Sequence, residues 1–179
     1  IEFGLETNTG DITGEVVSRK DRFTLPSNLK QRLLIFEGKQ KQLPPMFSAI
    51  KVNGRPLYYW ARKGVYIFRN PREIEIKSIN LLQNDQNSAL IKVECTKGTY
   101  IRTLVESLGR NLNCYATVSS LRRISVGNSF IKEESCSLNE SKTSILSKLL
   151  PCDALLEEFK KVYINPEDTK KVRNGQSID

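Results

Sequence analysis

Hydrophobic and polar residues alternate over two stretches near the middle of the chain. Residues 73–79 and 89–95 each place an apolar side chain at about every second position, which is typical of half-buried strands. The polar residues 84–87 between them predict a turn that returns the chain. Residues 99–112 have the spacing of an amphipathic helix. Its apolar stripe comprises Ile101, Leu104, Val105 and Leu108.

Shorter elements are predicted on both sides of this region. The predicted strands and extended stretches are residues 1–6, 15–18, 46–52 and 118–126. The predicted helices are residues 29–36, 56–63, 166–171, and a segment that ends at Leu150 and follows a capping-box pattern at Ser137 and Glu140. Asn53-Gly54 predicts a tight turn. This mixture predicts an α+β fold with a mixed, largely antiparallel sheet and flanking helices.

Composition excludes several kinds of chemistry. The 179 residues include no histidine, so catalysis by Ser-His-Asp or Cys-His and metal sites built on histidine are excluded within this chain. The four cysteines lack CxxC spacing, and we expect reduced thiols and no metal site. No apolar run approaches the roughly 20 residues of a membrane span, so we expect no membrane partner.

The positive charge is concentrated in one segment. Lys and Arg number 28 against 20 Asp and Glu, a net charge of +8. Residues 38–72, which we call the basic segment, contain eight basic residues and no acidic one, so the rest of the chain has no net charge. The eight are Lys39, Lys41, Lys51, Arg55, Arg62, Lys63, Arg69 and Arg72. The excess predicts a polyanionic partner, with nucleic acid ahead of a membrane surface.

Six aromatic residues are interleaved with these cations. They are Phe47, Tyr58, Tyr59, Trp60, Tyr66 and Phe68. One interpretation is an RNA-binding surface, in which cations neutralise phosphates and aromatic faces stack on exposed bases. The other is that the aromatic side chains belong to the core and the cations are merely solvated. Composition leaves both open.

A second basic group surrounds the helix predicted at residues 99–112. It comprises Lys97, Arg102, Arg110, Arg122 and Arg123. Arg102 is unusual because it lies near the helix N-terminus, where a cation opposes the helix dipole. It therefore needs an anionic partner. Either Arg102 forms a structural ion pair, or it serves an active-site carboxylate, and both alternatives are open.

Four stretches of the sequence together resemble the TruB family of bacterial tRNA pseudouridine-55 synthases. They are residues 3–14 (FGLETNTGDITG), 44–58 (PPMFSAIKVNGRPLY), 97–104 (KGTYIRTL) and 121–127 (LRRISVG), in this order. The resemblance implies an enzyme that isomerises uridine 55 in the tRNA T-loop to pseudouridine. It breaks an N–C glycosidic bond and re-forms it as C–C, with an aspartate nucleophile and neither metal nor organic cofactor. The target base has to leave its stack to reach the pocket.

The same resemblance assigns roles to individual residues. Tyr100 and Leu121 would contact the substrate base, and Arg102 would pair with the catalytic aspartate and keep it ionised. Asp11 would order its loop rather than take part in catalysis. The residues expected to bind RNA are Lys51, Arg55, Arg62, Lys63, Lys97, Arg122 and Arg123. The last three would face tRNA phosphate or support the sheet, and the sequence does not separate these roles. We expect the T-arm of tRNA as the partner, a monomer, and a cytoplasmic location, or an organellar one in a eukaryotic source.

The sequence also departs from the family pattern. The family's nucleophile lies in a Gly-Asp loop followed by Ala-Thr-Gly, and these 179 residues contain no such segment. We therefore expect a fragment that is inactive alone. Residues 1–150 would be the central and C-terminal part of the catalytic domain, and residues 151–179 a linker and the start of a small PUA-like RNA-binding domain. The alternative function is a non-catalytic RNA-binding module or tRNA chaperone on the same fold.

Overall fold

The chain divides into two compact units. The computed structural model describes residues 1–127, 130–156 and 159–178. The first unit is Ile1–Leu121 and the second is Arg122–Asp179. This division comes earlier in the chain than the predicted functional boundary at residue 150, and the assignment of residues 1–150 and 151–179 to two domains stays a prediction.

The first unit contains nine strands and three helices. The strands are β1 (Glu2–Phe3), β2 (Leu5–Thr7), β3 (Val16–Arg19), β4 (Gly38–Gln42), β5 (Lys51–Val52), β6 (Arg55–Pro56), β7 (Arg72–Asn84), β8 (Ala89–Cys95) and β9 (Ala116–Thr117). The helices are α1 (Leu29–Leu34), α2 (Leu57–Ala61) and α3 (Ile101–Asn111). Every strand ladder in this unit is antiparallel, which confirms the predicted α+β class.

A three-stranded sheet in the order β4-β7-β8 carries the predicted hairpin. Ile74 and Ile76 are buried on one face of β7, as strict alternation requires. A β-bulge between Ile76 and Ser78 then shifts the alternation by one residue, so the next buried side chain is Ile79. The strand extends beyond the predicted 73–79, where Leu81 still packs against the core but Leu82 is 58% exposed.

The core lies between this sheet and two helices. The apolar side of α1 contributes Leu29 and Leu33, and α3 contributes Leu104, Val105 and Leu108, as its predicted stripe requires. On the other side of α3, β9 approaches the helix closely at Gly109. A Cβ on Gly109 would collide with the backbone of Tyr115 and Ala116, so only glycine allows this contact.

One predicted strand in the first unit is wrong, and one observed strand is not predicted. Residues 46–52 form a strand only at Lys51–Val52, because the carbonyls of Ser48 and Ile50 accept hydrogen bonds from the first N–H groups of α2 instead of from a neighbouring strand. The patterns predict no strand at β4, since its sequence Gly-Lys-Gln-Lys-Gln lacks apolar residues. Backbone pairing with β7 over all five residues forms it nevertheless.

The second unit has short elements with exposed side chains. It contains β10 (Ser125–Val126) paired with β11 (Phe130–Ile131), and helices α4 (Lys142–Ser147) and α5 (Pro166–Arg173). The predicted helix at 166–171 is therefore confirmed. The capping-box contact forms, with the Ser137 amide donating to Glu140 Oε1 at 2.8 Å, but the helix begins later, at Lys142. Of the predicted extended stretch 118–126, only Ser125–Val126 is a strand.

Two further predictions concern the chain as a whole. All four cysteines lie in the described part of the chain and form no disulfide there, and their reduced state stays a prediction. Among the described residues, no helix is long and apolar enough to cross a membrane.

Candidate active site

The loop at residues 7–14 is ordered by Asp11. Its Oδ1 accepts hydrogen bonds from the amide and the hydroxyl of Thr13, at 3.2 and 2.5 Å, and from the Thr9 hydroxyl at 3.1 Å. A parallel bridge between Asp11 and Val118 attaches the loop to the residue after β9. One carboxylate oxygen therefore holds the loop together, and the other, Oδ2, faces a different partner.

That partner is Arg102, in the first turn of α3. Its Nη1 donates to the Thr9 carbonyl at 2.7 Å and lies 3.3 Å from Asp11 Oδ2, and its Nη2 donates to the Phe47 carbonyl at 2.7 Å. Both charged side chains are partly buried, with 24% of the arginine and 31% of the aspartate side chain exposed. The structure thus gives Arg102 the anionic partner that its place near a helix N-terminus requires.

The surroundings of Asp11 favour its ionised form. Burial raises the pKa of the Asp11 carboxyl. Hydrogen bonds from Thr13 and Thr9, together with the nearby charge of Arg102, lower this pKa by a larger amount. The result is a pKa below the ordinary value of 3.8, so Asp11 is a carboxylate at neutral pH.

Glu106 lies on α3 one turn after Arg102 and has the opposite tendency. Burial and the nearby charge of Glu6 raise the pKa of Glu106, while Arg110 and Arg102 lower it less. Gly10 passes directly over this side chain, since a Cβ at Gly10 would lie 2.6 Å from Glu106 Oε1. The positive φ of 75° at Gly10 also favours glycine there. The loop and α3 are therefore in tight contact from Arg102 to Glu106.

Tyr100 is the N-cap residue of α3 and is half-buried. Its amide donates to Gln42 Oε1 at 2.8 Å, and its carbonyl accepts from Gln42 Nε2 at 3.1 Å. The motifs of the sequence do not indicate Gln42. The available signal is the alternation in β4, where Lys39 and Lys41 face solvent and the intervening glutamines face inward.

The other predicted residues of the site are exposed. Leu121 is 62% exposed at the end of the first unit, after β9. Lys97 lies in the turn between β8 and α3. Arg122 and Arg123 open the second unit. The structure brings Tyr100 and Arg102 together at the start of α3, and the substrate-binding roles of Tyr100 and Leu121 stay predictions.

The basic segment presents its cations on a short hairpin and the helix after it. Strands β5 and β6 meet at Asn53-Gly54, both with positive φ as the predicted tight turn requires. The hairpin exposes Lys51 and Arg55, and the end of α2 exposes Arg62 and Lys63. Four of the predicted RNA-binding residues thus lie within 13 residues of one another and are accessible.

The aromatic residues of the basic segment are not core residues. The buried residue of α2 is Leu57, while Tyr58, Tyr66 and Phe68 are exposed by 40%, 70% and 78%. Within residues 38–72, all of which the structure describes, none of the six aromatic side chains belongs to the core cluster. The interpretation that the aromatic residues form the core is therefore wrong.

Cations lie over several of these rings. Lys63 Nζ is 4.6 Å and Arg55 Cζ is 5.3 Å from the centre of the Tyr59 ring, and Arg62 Cζ is 5.4 Å from that of Tyr58. A hydrogen bond from Lys63 and its charge lower the pKa of Tyr59. The rings thus hold the cations in place on the surface, which reduces the conformational entropy they lose when they bind an anion.

Comparisons with known proteins identify the family. The family described as TruB family pseudouridylate synthase (N terminal domain) matches residues 1–101. The tRNA pseudouridine synthase B of Clostridium kluyveri is 39% identical over 178 residues, which cover 99% of this chain and 62% of the relative. That of Bordetella avium is 46% identical over 131 residues, covering 71% of this chain and 53% of the relative. The chain thus spans about 60% of the length of the Clostridium relative.

A solved structure shares the fold. A chain in the crystal structure of a Cbf5-Nop10-Gar1 complex superposes with a TM-score of 0.67 at 24% identity, over 86% of this chain and 45% of that one. The family match covers more than half of the 179 residues and includes Asp11, Gln42, the basic segment and Tyr100. The chain therefore belongs to the TruB family of pseudouridylate synthases.

Proposed function

We propose that this chain supplies part of the active site and of the RNA-binding surface of a tRNA pseudouridine synthase, which isomerises uridine 55 in the T-loop to pseudouridine. The observation that carries the proposal is Arg102, a partly buried guanidinium fixed at three points beside Tyr100. Family membership supports the reaction class. The basic segment supports tRNA as the substrate.

Arg102 is suited to hold a second carboxylate. Within the described residues it uses three of its five N–H groups, which leaves Nε–H and one N–H of Nη2 for another acceptor. In the proposed enzyme that acceptor is the nucleophilic aspartate, which the family resemblance places upstream of Ile1. A guanidinium within hydrogen-bonding distance lowers the pKa of an aspartate and fixes its orientation, so the carboxylate stays ionised and aimed at the sugar.

The RNA-binding part of the proposal rests on a direct connection to Arg102. The Phe47 carbonyl accepts from Arg102, and the next carbonyl, that of Ser48, accepts from the Tyr58 amide in α2 at 3.1 Å. The cations of the hairpin and of α2 are therefore tied through two residues of backbone to the guanidinium. A T-loop bound on this surface would lie beside Tyr100 and Arg102.

A chimera tests the proposal. The segment that precedes the matched region in the Clostridium kluyveri relative is joined to Ile1 of the 179-residue chain, and conversion of a T-arm stem-loop RNA is measured by release of tritium from 5-tritiated uridine. We expect conversion by the chimera and its loss in Arg102→Ala. Arg110→Ala is the matched control, because Arg110 lies on the same helix and pairs with Glu6 instead.

Two outcomes would contradict the proposal. Conversion by the 179 residues alone would show that the nucleophile is not upstream of Ile1. A folded chimera that binds the stem-loop with strong salt dependence but never converts it would favour the RNA-binding module or chaperone. We further propose a monomeric state and a cytoplasmic location, for which light scattering and fluorescence imaging of a tagged protein are the direct measurements.

A further inference from the structure

We propose that Gln42 is a positioning residue for the reaction. It fixes the N-terminus of α3, and through it the places of Tyr100 and Arg102. The inference rests on the proposed function and adds a residue to that site. The Gln42 amide forms no hydrogen bond to either of these two side chains. It acts on the backbone that carries them.

The geometry is a reciprocal pair of hydrogen bonds to a single residue. Gln42 Oε1 accepts from the Tyr100 amide at 2.8 Å, and Gln42 Nε2 donates to the Tyr100 carbonyl at 3.1 Å. The Gln42 residue is only 8% exposed, so water does not readily replace these bonds. Two bonds from one planar amide fix both the position and the direction of the backbone at Tyr100.

Helix α3 depends on this contact because it has no cap of its own. Tyr100 occupies the N-cap position, and its side chain forms no capping hydrogen bond. Its carbonyl accepts the first helical bond, from the Leu104 amide at 3.1 Å, and has a second lone pair for Gln42. The side chain of a distant strand therefore stabilises the first turn of α3, which carries Arg102.

The segment of residues 42–47, which begins at Gln42, contacts the Arg102 side chain at its other end. Gln42 is fixed in β4 by pairing with Arg72 of β7, and five residues later the Phe47 carbonyl accepts from Arg102 Nη2 at 2.7 Å. Residues 42–47 thus hold the backbone of the site at one end and its guanidinium at the other. A shift of β4 relative to α3 would move both groups together.

The role requires a neutral amide, and this makes it testable. Glutamate has the same size and accepts from the Tyr100 amide, but its ionised form cannot donate to the Tyr100 carbonyl and repels it. A protonated carboxyl at this position has the missing donor. Burial and the facing carbonyl oxygen raise the pKa of such a glutamate above the ordinary value of about 4.3, so the donor returns as the pH falls.

The experiment compares Gln42→Glu and Gln42→Leu with Gln40→Glu in the chimera, from about pH 5 to about pH 8.5, a range that begins just above the ordinary pKa of a glutamate. Gln40 is the matched control, since it also lies in β4 and donates to a carbonyl, that of Phe36 at 2.6 Å, without contacting α3. For both Gln42 variants we expect kcat to fall roughly tenfold at the upper end of this range, with KM within about twofold. For Gln42→Glu alone, kcat relative to the unsubstituted chimera rises again towards the lower end.

A kcat for Gln42→Glu that matches the unsubstituted chimera at the upper end of the pH range would overturn the inference. So would an equal, pH-independent loss in Gln40→Glu, since this would indicate general damage to the sheet. If the unsubstituted chimera converts no RNA, the proposed function fails and the catalytic role of Gln42 fails with it. Amide hydrogen exchange in the 179-residue chain then decides the structural part. Gln42→Leu is expected to lose protection at the Tyr100 amide, and unchanged protection would contradict it.

Discussion

Replacing Arg102 by lysine in the 179-residue chain tests the structural role of the guanidinium separately from catalysis. The substitution keeps the positive charge but replaces a planar fork by a single ammonium group. In the structure the two terminal nitrogens of Arg102 point to different segments, one to Thr9 and Asp11 and the other to Phe47. One ammonium cannot reach both segments, so we expect the first unit to be less stable.

The size of the effect is set by the hydrogen bonds that lysine cannot make. Lysine retains the attraction to Asp11 and at most one of the two carbonyls, so one or two hydrogen bonds disappear at about 1 kcal/mol each. With 24% of the side chain exposed, the freed carbonyl is only partly rehydrated. We expect the free energy of unfolding to fall by about 1–2 kcal/mol. Arg110→Lys is the matched control: 61% of that side chain is exposed, its pair with Glu6 contributes at most about 1 kcal/mol, and lysine keeps the charge, so the loss should be about 0–0.5 kcal/mol.

Urea unfolding followed by tryptophan fluorescence is the assay. The single tryptophan, Trp60, lies in α2 of the first unit, so its signal reports on that unit. At a slope of about 2 kcal/mol per molar urea, Arg102→Lys should lower the midpoint by roughly 0.5–1 M and Arg110→Lys by less than about 0.25 M. Equal shifts in the two variants would refute a structural role for Arg102, because its burial and the binding of its guanidinium to two segments distinguish it from Arg110.

Three further predictions follow from the same structure. Because folding lowers the pKa of Asp11, the Asp11 carboxylate stabilises the first unit fully above the ordinary value of 3.8, and this stabilisation is lost as the pH falls through the folded-state pKa. The difference in urea midpoint between the wild type and Asp11→Asn should therefore shrink only in that range. Gly109→Ala should destabilise the first unit by about 2 kcal/mol or more in the same urea assay, although alanine favours helices, since its Cβ collides with Ala116. Lys63→Gln should reduce the salt dependence of T-arm binding by about one unit of slope, whereas Lys77→Gln, whose lysine pairs with Glu94, should change it little in titrations at several salt concentrations.

The sequence predicts best those elements whose side chains follow one period. The hairpin of β7 and β8 and the apolar stripe of α3 repeat a simple pattern, and the structure confirms them. Residues 46–52 have strand-like composition, but their carbonyls bind α2 and Arg102 instead of a neighbouring strand. Composition does not encode such a choice of partner.

The candidate site is predictable in part. Arg102 is identifiable because a cation at a helix N-terminus requires an anion, but Asp11 as the partner depends on a contact over 91 residues of chain. Gln42 escapes prediction because a glutamine among lysines in a polar stretch resembles an exposed strand edge. The alternation of lysine and glutamine in β4 is consistent with an inward-facing Gln42, but its burial depends on the pairing of β4 with β7.

The hydrogen bonds that Arg102 forms with Thr9, Asp11 and Phe47 also have a consequence for the order of folding. Its guanidinium joins residues that are 93 and 55 positions away along the chain, so three segments have to meet before all of these bonds are formed. Such long loops close late, after the local hairpin of β7 and β8. Substitutions that remove these hydrogen bonds are therefore expected to accelerate unfolding in stopped-flow experiments while leaving the folding rate nearly unchanged. The lifetime of the assembled site is then set by the rate at which the hydrogen bonds around Arg102 break.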